Sequence, residues 1–147
     1  MSDWTQFISS LKQRSGVKTY KGASDELIAR FELKHGPLPL DLKNLLKVAN
    51  GLSLEWFRIM PIKDDTDVKS TWDDLERANN LQTSKFLNRD AELFRRFLIF
   101  AEIGSNRCAA FERKTETIWY EEDDEMVQTD LGSREFIELS LREVKEL

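Results

Sequence analysis

Between Gly22 and Gly51 the chain reads GASDELIARFELKHGPLPLDLKNLLKVANG, and its punctuation leaves the backbone few options. Ser24 is a good N-cap, and Asp25 and Glu26 put negative charge in a first turn, where the helix dipole favours it. Leu27, Ile28 and Phe31 follow at helical spacing. Gly36 suits the left-handed conformation that closes a helix, and Pro37 prevents its resumption. Pro39 is expected at the first position of a second helix, where its missing N–H costs nothing. Leu42, Leu45, Leu46 and Ala49 then recur at i, i+3, i+4 and i+7, so one face of that helix must be buried. Asn50-Gly51 is expected to stop it. Two helices this short are marginal alone and need a sheet or further helices to pack on. Nothing in the stretch is arranged for chemistry, which points to a binding module rather than an enzyme.

The flanking segments supply those packing partners. Trp4, Phe7, Ile8 and Leu11 predict an N-terminal helix over residues 3–15, with Asp3 as its cap and Gly16 as its stop. Val17 to Lys21 is a connector or a strand. Leu54 to Ile62 is rich in strand formers, and Pro61 is tolerated near its end. Lys63 to Asp67 reads as a loop. Asp67 or Ser70 is expected to cap a helix using Trp72, Leu75, Ala78 and Gln82, a stripe weakened by Asn79-Asn80. Thr83 to Glu92 reads as irregular chain, with Asp90 capping one more turn. Phe97 to Ala101 is apolar on both faces, which suits a central strand. Gly104-Ser105-Asn106 reads as a turn, Arg107 to Arg113 and Thr117 to Glu121 as strands, and Met126 to Asp130 as a short fourth. Ser133 is expected to cap a last helix with Phe136, Ile137, Ser140, Leu141 and Val144 inward and a Glu138–Arg142 pair outward. The order predicts one α+β domain over residues 1–147: a mainly antiparallel sheet of about four to six strands, packed with N-terminal and C-terminal helices.

Bulk properties exclude several classes. The 147 residues suffice to bury roughly two-thirds of the unfolded surface. MSDWTQF lacks the basic-then-apolar pattern of a secretory leader, and no apolar run approaches the ~20 residues of a membrane span. A cytoplasmic location is the simplest expectation. One cysteine, Cys108, excludes an internal disulfide and a cysteine-based zinc site. Net charge is −5, unevenly spread: residues 1–53 carry eight Lys/Arg and five Asp/Glu, net +3, and residues 54–147 carry 14 and 22, net −8. An acidic half argues against direct nucleic-acid binding and suits a partner with a basic face, or simply aids solubility.

With both halves placed, the chain resembles the SUKH superfamily, the immunity-protein family that also includes fungal cell-wall regulators. Three parts carry the resemblance: Ile28-Ala29-Arg30-Phe31-Glu32 at the end of a capped helix; Leu38-Pro39-Leu40-Asp41, opening a helix that finishes Ala49-Asn50-Gly51; and the distal order of apolar strand, Ile103-Gly104 turn, strand, Trp119-Tyr120 strand and Ser133-Arg134-Glu135-Phe136-Ile137. Together they span roughly residues 22–145. Asn106-Arg107-Cys108-Ala109 and the EEDDE run depart from the family's usual glycines, aspartate and histidine. The resemblance implies a bacterial protein that binds a secreted or contact-delivered toxin, often a nuclease, inside the producing cell, with no catalytic residues, cofactor or metal. The fungal branch offers an alternative, an intracellular regulatory or scaffolding domain.

The candidate contact residues follow the aromatic strand. Glu121, Glu122, Asp123, Asp124 and Glu125 repel one another, so a compact fold gains nothing from them. Either they steer onto a basic partner surface, with Trp119 or Tyr120 as an aromatic anchor, or they form a solvated acidic hairpin beside a core tryptophan. Asp64, Asp65 and Asp67 extend that surface if their loop lies at the same edge of the sheet; they lack the glycine and terminal glutamate of a calcium loop. Trp56, Phe57 and Trp72 are core residues, or anchors where exposed. His35, the single histidine, sits at a helix C-terminus, where its charged form is favoured. A cysteine hydrolase would have to use Cys108 with His35, yet Cys108 lies between apolar strand positions, where it packs as a small hydrophobe.

Overall fold

The computed structural model describes residues 3–14, 16–71, 74–87, 90–104 and 107–146, with the backbone alone at 3, 70 and 142–146. The apolar stripe of the first segment forms helix α1 (Asp3–Lys12), and the ambiguous segment after it is strand β1 (Lys18–Lys21). Helices α2 (Asp25–His35) and α3 (Leu40–Val48) follow, then β2 (Ala49–Leu54), β3 (Phe57–Ile59), and the short helices α4 (Val68–Thr71), α5 (Leu75–Asn79) and α6 (Ala91–Arg96). Strands β4 (Phe97–Gly104), β5 (Arg107–Glu112), β6 (Ile118–Glu122) and β7 (Glu125–Gln128) precede the last helix, α7 (Ser133–Glu146).

The strands form one antiparallel sheet in chain order, β1 to β7. Seven strands exceed the expected four to six because the chain enters β2 at Ala49, ahead of the Leu54–Ile62 run, and a tight turn at Glu55-Trp56 then pairs Leu54 with Phe57. Central β4 is buried from Phe97 to Ala101, as its two-sided apolar pattern requires. Phe57, Phe97, Phe100 and Phe111 are wholly buried, each worth roughly 1.5–3 kcal/mol of transfer free energy. On the α7 side Phe136 meets Phe100 edge-on at 6.1 Å, and Arg134 lies over the rings of Trp4 and Phe7 at 5.9 and 5.5 Å.

The Gly22–Gly51 stretch folds largely as its punctuation demands, with shifts at each end. Ser24 accepts the Leu27 N–H, and Gly36 donates to the Glu32 carbonyl at φ 90, ψ 171, a positive-φ region favouring glycine but not the left-handed helical one expected. Pro39 is the N-cap of α3 rather than its first residue, its carbonyl accepting the Lys43 N–H. Glu32 fixes the corner between the helices by accepting from the Leu38 N–H at 2.7 Å and from Lys43 at 3.1 Å. Gly22 lies so close to α3 that a Cβ there would sit 2.0 Å from the Lys47 carbonyl oxygen.

Asn50-Gly51 is not a helix stop. Helix α3 ends at Val48, and Ala49 enters β2 directly at φ −145, ψ 117. The buried Asn50 amide donates to the Ile62 carbonyl and accepts the Ile62 N–H, both at 2.8 Å. Asn79 does the same to Ile99 of β4, at 2.9 and 2.7 Å. Ladder pairing of β3 ends at Ile59; beyond it the Met60 N–H donates to the Phe100 carbonyl of β4, and the two side-chain amides satisfy the backbone groups of Ile62 and Ile99.

The expected helix from 67 onward is two pieces. Asp74, not Asp67 or Ser70, caps the second by accepting the Arg77 N–H at 2.8 Å, and Asp67 contributes its carbonyl to the Thr71 hydroxyl. Asp90 caps α6 as expected. Ser133 is the first helical residue of α7, not its cap: the Gly132 carbonyl accepts the Phe136 N–H, and the Ser133 hydroxyl donates to Asp41 of α3 at 3.2 Å. Phe136, Ile137, Ser140 and Leu141 face inward. Trp72, Ser105-Asn106, and the side chains of Asp3, Ser70, Arg142 and Val144 lie outside the described residues.

Candidate partner-binding surface

The acidic run forms the tip of the β6–β7 hairpin. Glu122 pairs with Glu125, and Asp123 and Asp124 turn the chain with φ of 52° and 65°. Two successive positive φ values mark a type I′ turn, normally Asn-Gly or Asp-Gly. Aspartate is among the few other residues that tolerate that region. Glu122, Asp123, Asp124 and Glu125 are exposed. Glu121 turns inward: its carboxylate accepts the Cys108 N–H at 2.8 Å, and its carbonyl accepts from Arg107 Nε at 3.1 Å.

Trp119 and Tyr120 point to opposite faces, as neighbours on a strand must. Trp119 packs edge-on to Phe97 at 5.3 Å, with Arg96 over its ring and its indole N–H donated to Thr117. Tyr120 donates its hydroxyl to Glu122 at 3.2 Å and lines a groove of about 440 Å³ together with Trp56, Ile103, Leu131, Phe136 and Leu139. Arg107, Glu122 and Gln128 also border it. The groove thus lies between α7 and the sheet end that carries the Glu55-Trp56 and Asp123-Asp124 turns. Phe57, by contrast, is core.

The other acidic segment is elsewhere. Asp64, Asp65 and Asp67 follow β3, whose exit is at the end of the ladder opposite to the Asp123-Asp124 turn. Asp64 accepts from the Thr66 hydroxyl and N–H, which hold its carboxyl below the usual value. Asp65 borders a separate concavity of about 270 Å³ shared with Arg30, Lys34, Lys63 and Glu76. The structure does not bring the two acidic segments together on one cavity. Asp67 is exposed.

His35 and Cys108 occupy separate neighbourhoods. His35 Nε2 lies 3.1 Å from Glu76, and its ring stacks on Phe31 with centroids 4.6 Å apart. The His35 and Lys34 contacts hold the Glu76 carboxyl below its ordinary value. Cys108 is wholly buried; burial, reinforced by Glu121, pushes its thiol far up, so it stays protonated. Among the described residues no group of three or more His, Cys, Asp and Glu is placed to hold a metal ion. No helix among them is long and apolar enough to cross a membrane.

Trp56, open in the sequence between core and exposed anchor, is a half-buried groove wall; what sequence reasoning missed is the contribution of α7. Leu139 gave a partial signal, being a leucine off the inward stripe of α7.

A helix-flanked antiparallel meander with a concave aromatic surface at one end belongs to the α+β class that the resemblance implies. The chain belongs to the SMI1 / KNR4 family (SUKH-1), whose family model matches residues 22–139. That span contains every groove residue named above. The family is generally non-catalytic. Neither a curated protein nor a solved structure matches the chain.

Proposed function

We propose that this chain is an immunity protein that binds and neutralises a cognate secreted or contact-delivered bacterial toxin, a nuclease in the form that best suits its charge, by stoichiometric occlusion in the cytoplasm of the producing cell. Family membership over residues 22–139 carries the proposal. The exposed carboxylates of the β6–β7 hairpin support a toxin with a basic surface. Nuclease surfaces are basic because they hold phosphate, and an acidic patch facing one raises association rates by roughly one to three orders of magnitude. In this reading Tyr120, Glu122, Asp123, Asp124 and Glu125 meet the toxin, and Glu121 and Trp119 support them from within the sheet. Asp64, Asp65 and Asp67 form a second acidic surface at the far end, available to a large partner.

Co-expression with the toxin encoded beside the chain tests the proposal. Protected cells are the expected result. Killing at full expression of the chain, with no association of the purified proteins at micromolar concentration, would overturn it.

A further inference from the structure

The groove beside the acidic hairpin combines two properties that rarely suit the same guest. Part of its lining is apolar, Trp56, Ile103, Phe136 and Leu139 with the Tyr120 ring, while Gln128, Thr129 and Ser140 make the rest polar. Leu139 remains 40% exposed, so the chain supplies this wall without covering it. The mouth is negative. Glu122 borders it, Asp123, Asp124 and Glu125 extend from it, and exposed Glu55 sits in the turn that carries Trp56. Among the described residues that border it, one cation, Arg107, stands against them, and its Nε is already donated to the Glu121 carbonyl at 3.1 Å.

An anionic guest such as a nucleotide or an acidic peptide would be repelled at the mouth. A purely apolar guest would strip water from the carboxylates and offer them nothing in return. A large apolar side chain flanked by lysine or arginine satisfies both parts. At about 440 Å³ the groove is near the small end of ligand sites, suited to one anchoring side chain and its adjoining backbone rather than to a whole helix.

We propose that this groove receives a single aromatic or long aliphatic side chain from a basic segment of the toxin, the charged flanks pairing with the β6–β7 hairpin. This rests on the immunity reading for the partner's identity and adds where and how it is gripped. The anchor packs on the aromatic and aliphatic part of the groove, and a few such anchors supply most of the binding energy of an interface. The hairpin carboxylates set orientation and approach.

The test needs no toxin, so its failure and that of the immunity reading are separable. Backbone and indole NMR resonances of the full chain are followed at low salt while acetyl-Lys-Trp-Lys-amide is added. Saturable shifts at Trp56, Tyr120 and Leu139 are expected, with no saturable shift for acetyl-Glu-Trp-Glu-amide. Leu139→Arg should weaken binding about tenfold or more by adding a like charge and filling the groove. Asp123→Asn with Asp124→Asn keeps residues that tolerate positive φ and should weaken it about fivefold. Equal response to the two peptides, shifts centred away from the groove, or no saturation would overturn the inference. So would concentration-dependent shifts of the same resonances without peptide, which would make a second copy of the chain the occupant.

Discussion

Replacing Asn50 by alanine tests the side-chain clamp that joins the opening stretch to the rest of the sheet. The Asn50 amide makes two buried bonds to Ile62, each 2.8 Å long. Alanine removes both and leaves the Ile62 N–H and carbonyl facing a small cavity. An orphaned buried backbone group costs about 1–3 kcal/mol, so the pair should cost about 2–6 kcal/mol. That is a large share of the roughly 5–15 kcal/mol typical of a domain. At about 2–4 °C per kcal/mol for a chain of this size, Tm should fall by roughly 4–24 °C. Urea unfolding followed by circular dichroism measures it, with the midpoint falling and the slope unchanged. Asn50→Asp keeps an acceptor for the Ile62 N–H but sets a carboxylate against the Ile62 carbonyl. Burial raises the folded pKa of such an acid, so this variant should be weakest at neutral pH and regain stability as pH falls through that raised value. A loss below about 1 kcal/mol for Asn50→Ala would refute the reasoning, because two orphaned buried groups cannot cost so little.

Other outcomes follow from the same geometry. Gly22→Ala should destabilise by about 1–3 kcal/mol or more, since its Cβ would meet the Lys47 carbonyl at 2.0 Å and backbone has to move; an unchanged melting temperature would contradict that approach. Acid should destabilise the protein. Burial raises Glu32, but the Leu38 N–H and Lys43 outweigh it and hold the carboxyl low, as His35 holds Glu76 and Arg96 holds Glu112. Carboxyls depressed in the folded state give stability that is complete above the ordinary carboxylate range, near pH ~4.3, and is lost as pH falls through their folded values. Asp74, raised by burial, acts in the opposite sense. The urea midpoint measured from pH 7 downward should therefore fall below that range, and Glu32→Gln should flatten part of the fall. Cys108 should resist thiol reagents in the folded protein and react fully on unfolding; rapid labelling at native pH would contradict its burial.

Much of this architecture is legible from residues that act locally. Ser24 caps α2, Asp90 caps α6, and the apolar run from Phe97 becomes the central strand because burial on both faces leaves no other place for it. The misreadings share a cause. Asn50, Asn79 and Ser133 carry side chains used by local turns and caps, but here they serve distant partners, Ile62, Ile99 and Asp41. Such pairings are set by tertiary position, which periodicity does not encode. The same limit applied to the surface. The acidic hairpin was visible as a charge run, whereas the groove needed Trp56, Tyr120 and Leu139 from three separate elements. The inward turn of Glu121 came from its bond to the Cys108 N–H, a neighbour across the sheet.

The central claim is stoichiometric neutralisation, and titrating the activity of the cognate toxin with purified protein tests it most directly. Residual activity should fall linearly with added protein and reach zero at a fixed molar equivalence, with Asp123→Asn plus Asp124→Asn slowing the approach at low salt. Toxin activity that persists through a large molar excess would contradict the claim, and so would its loss at trace amounts of protein, which would mean turnover in place of occlusion.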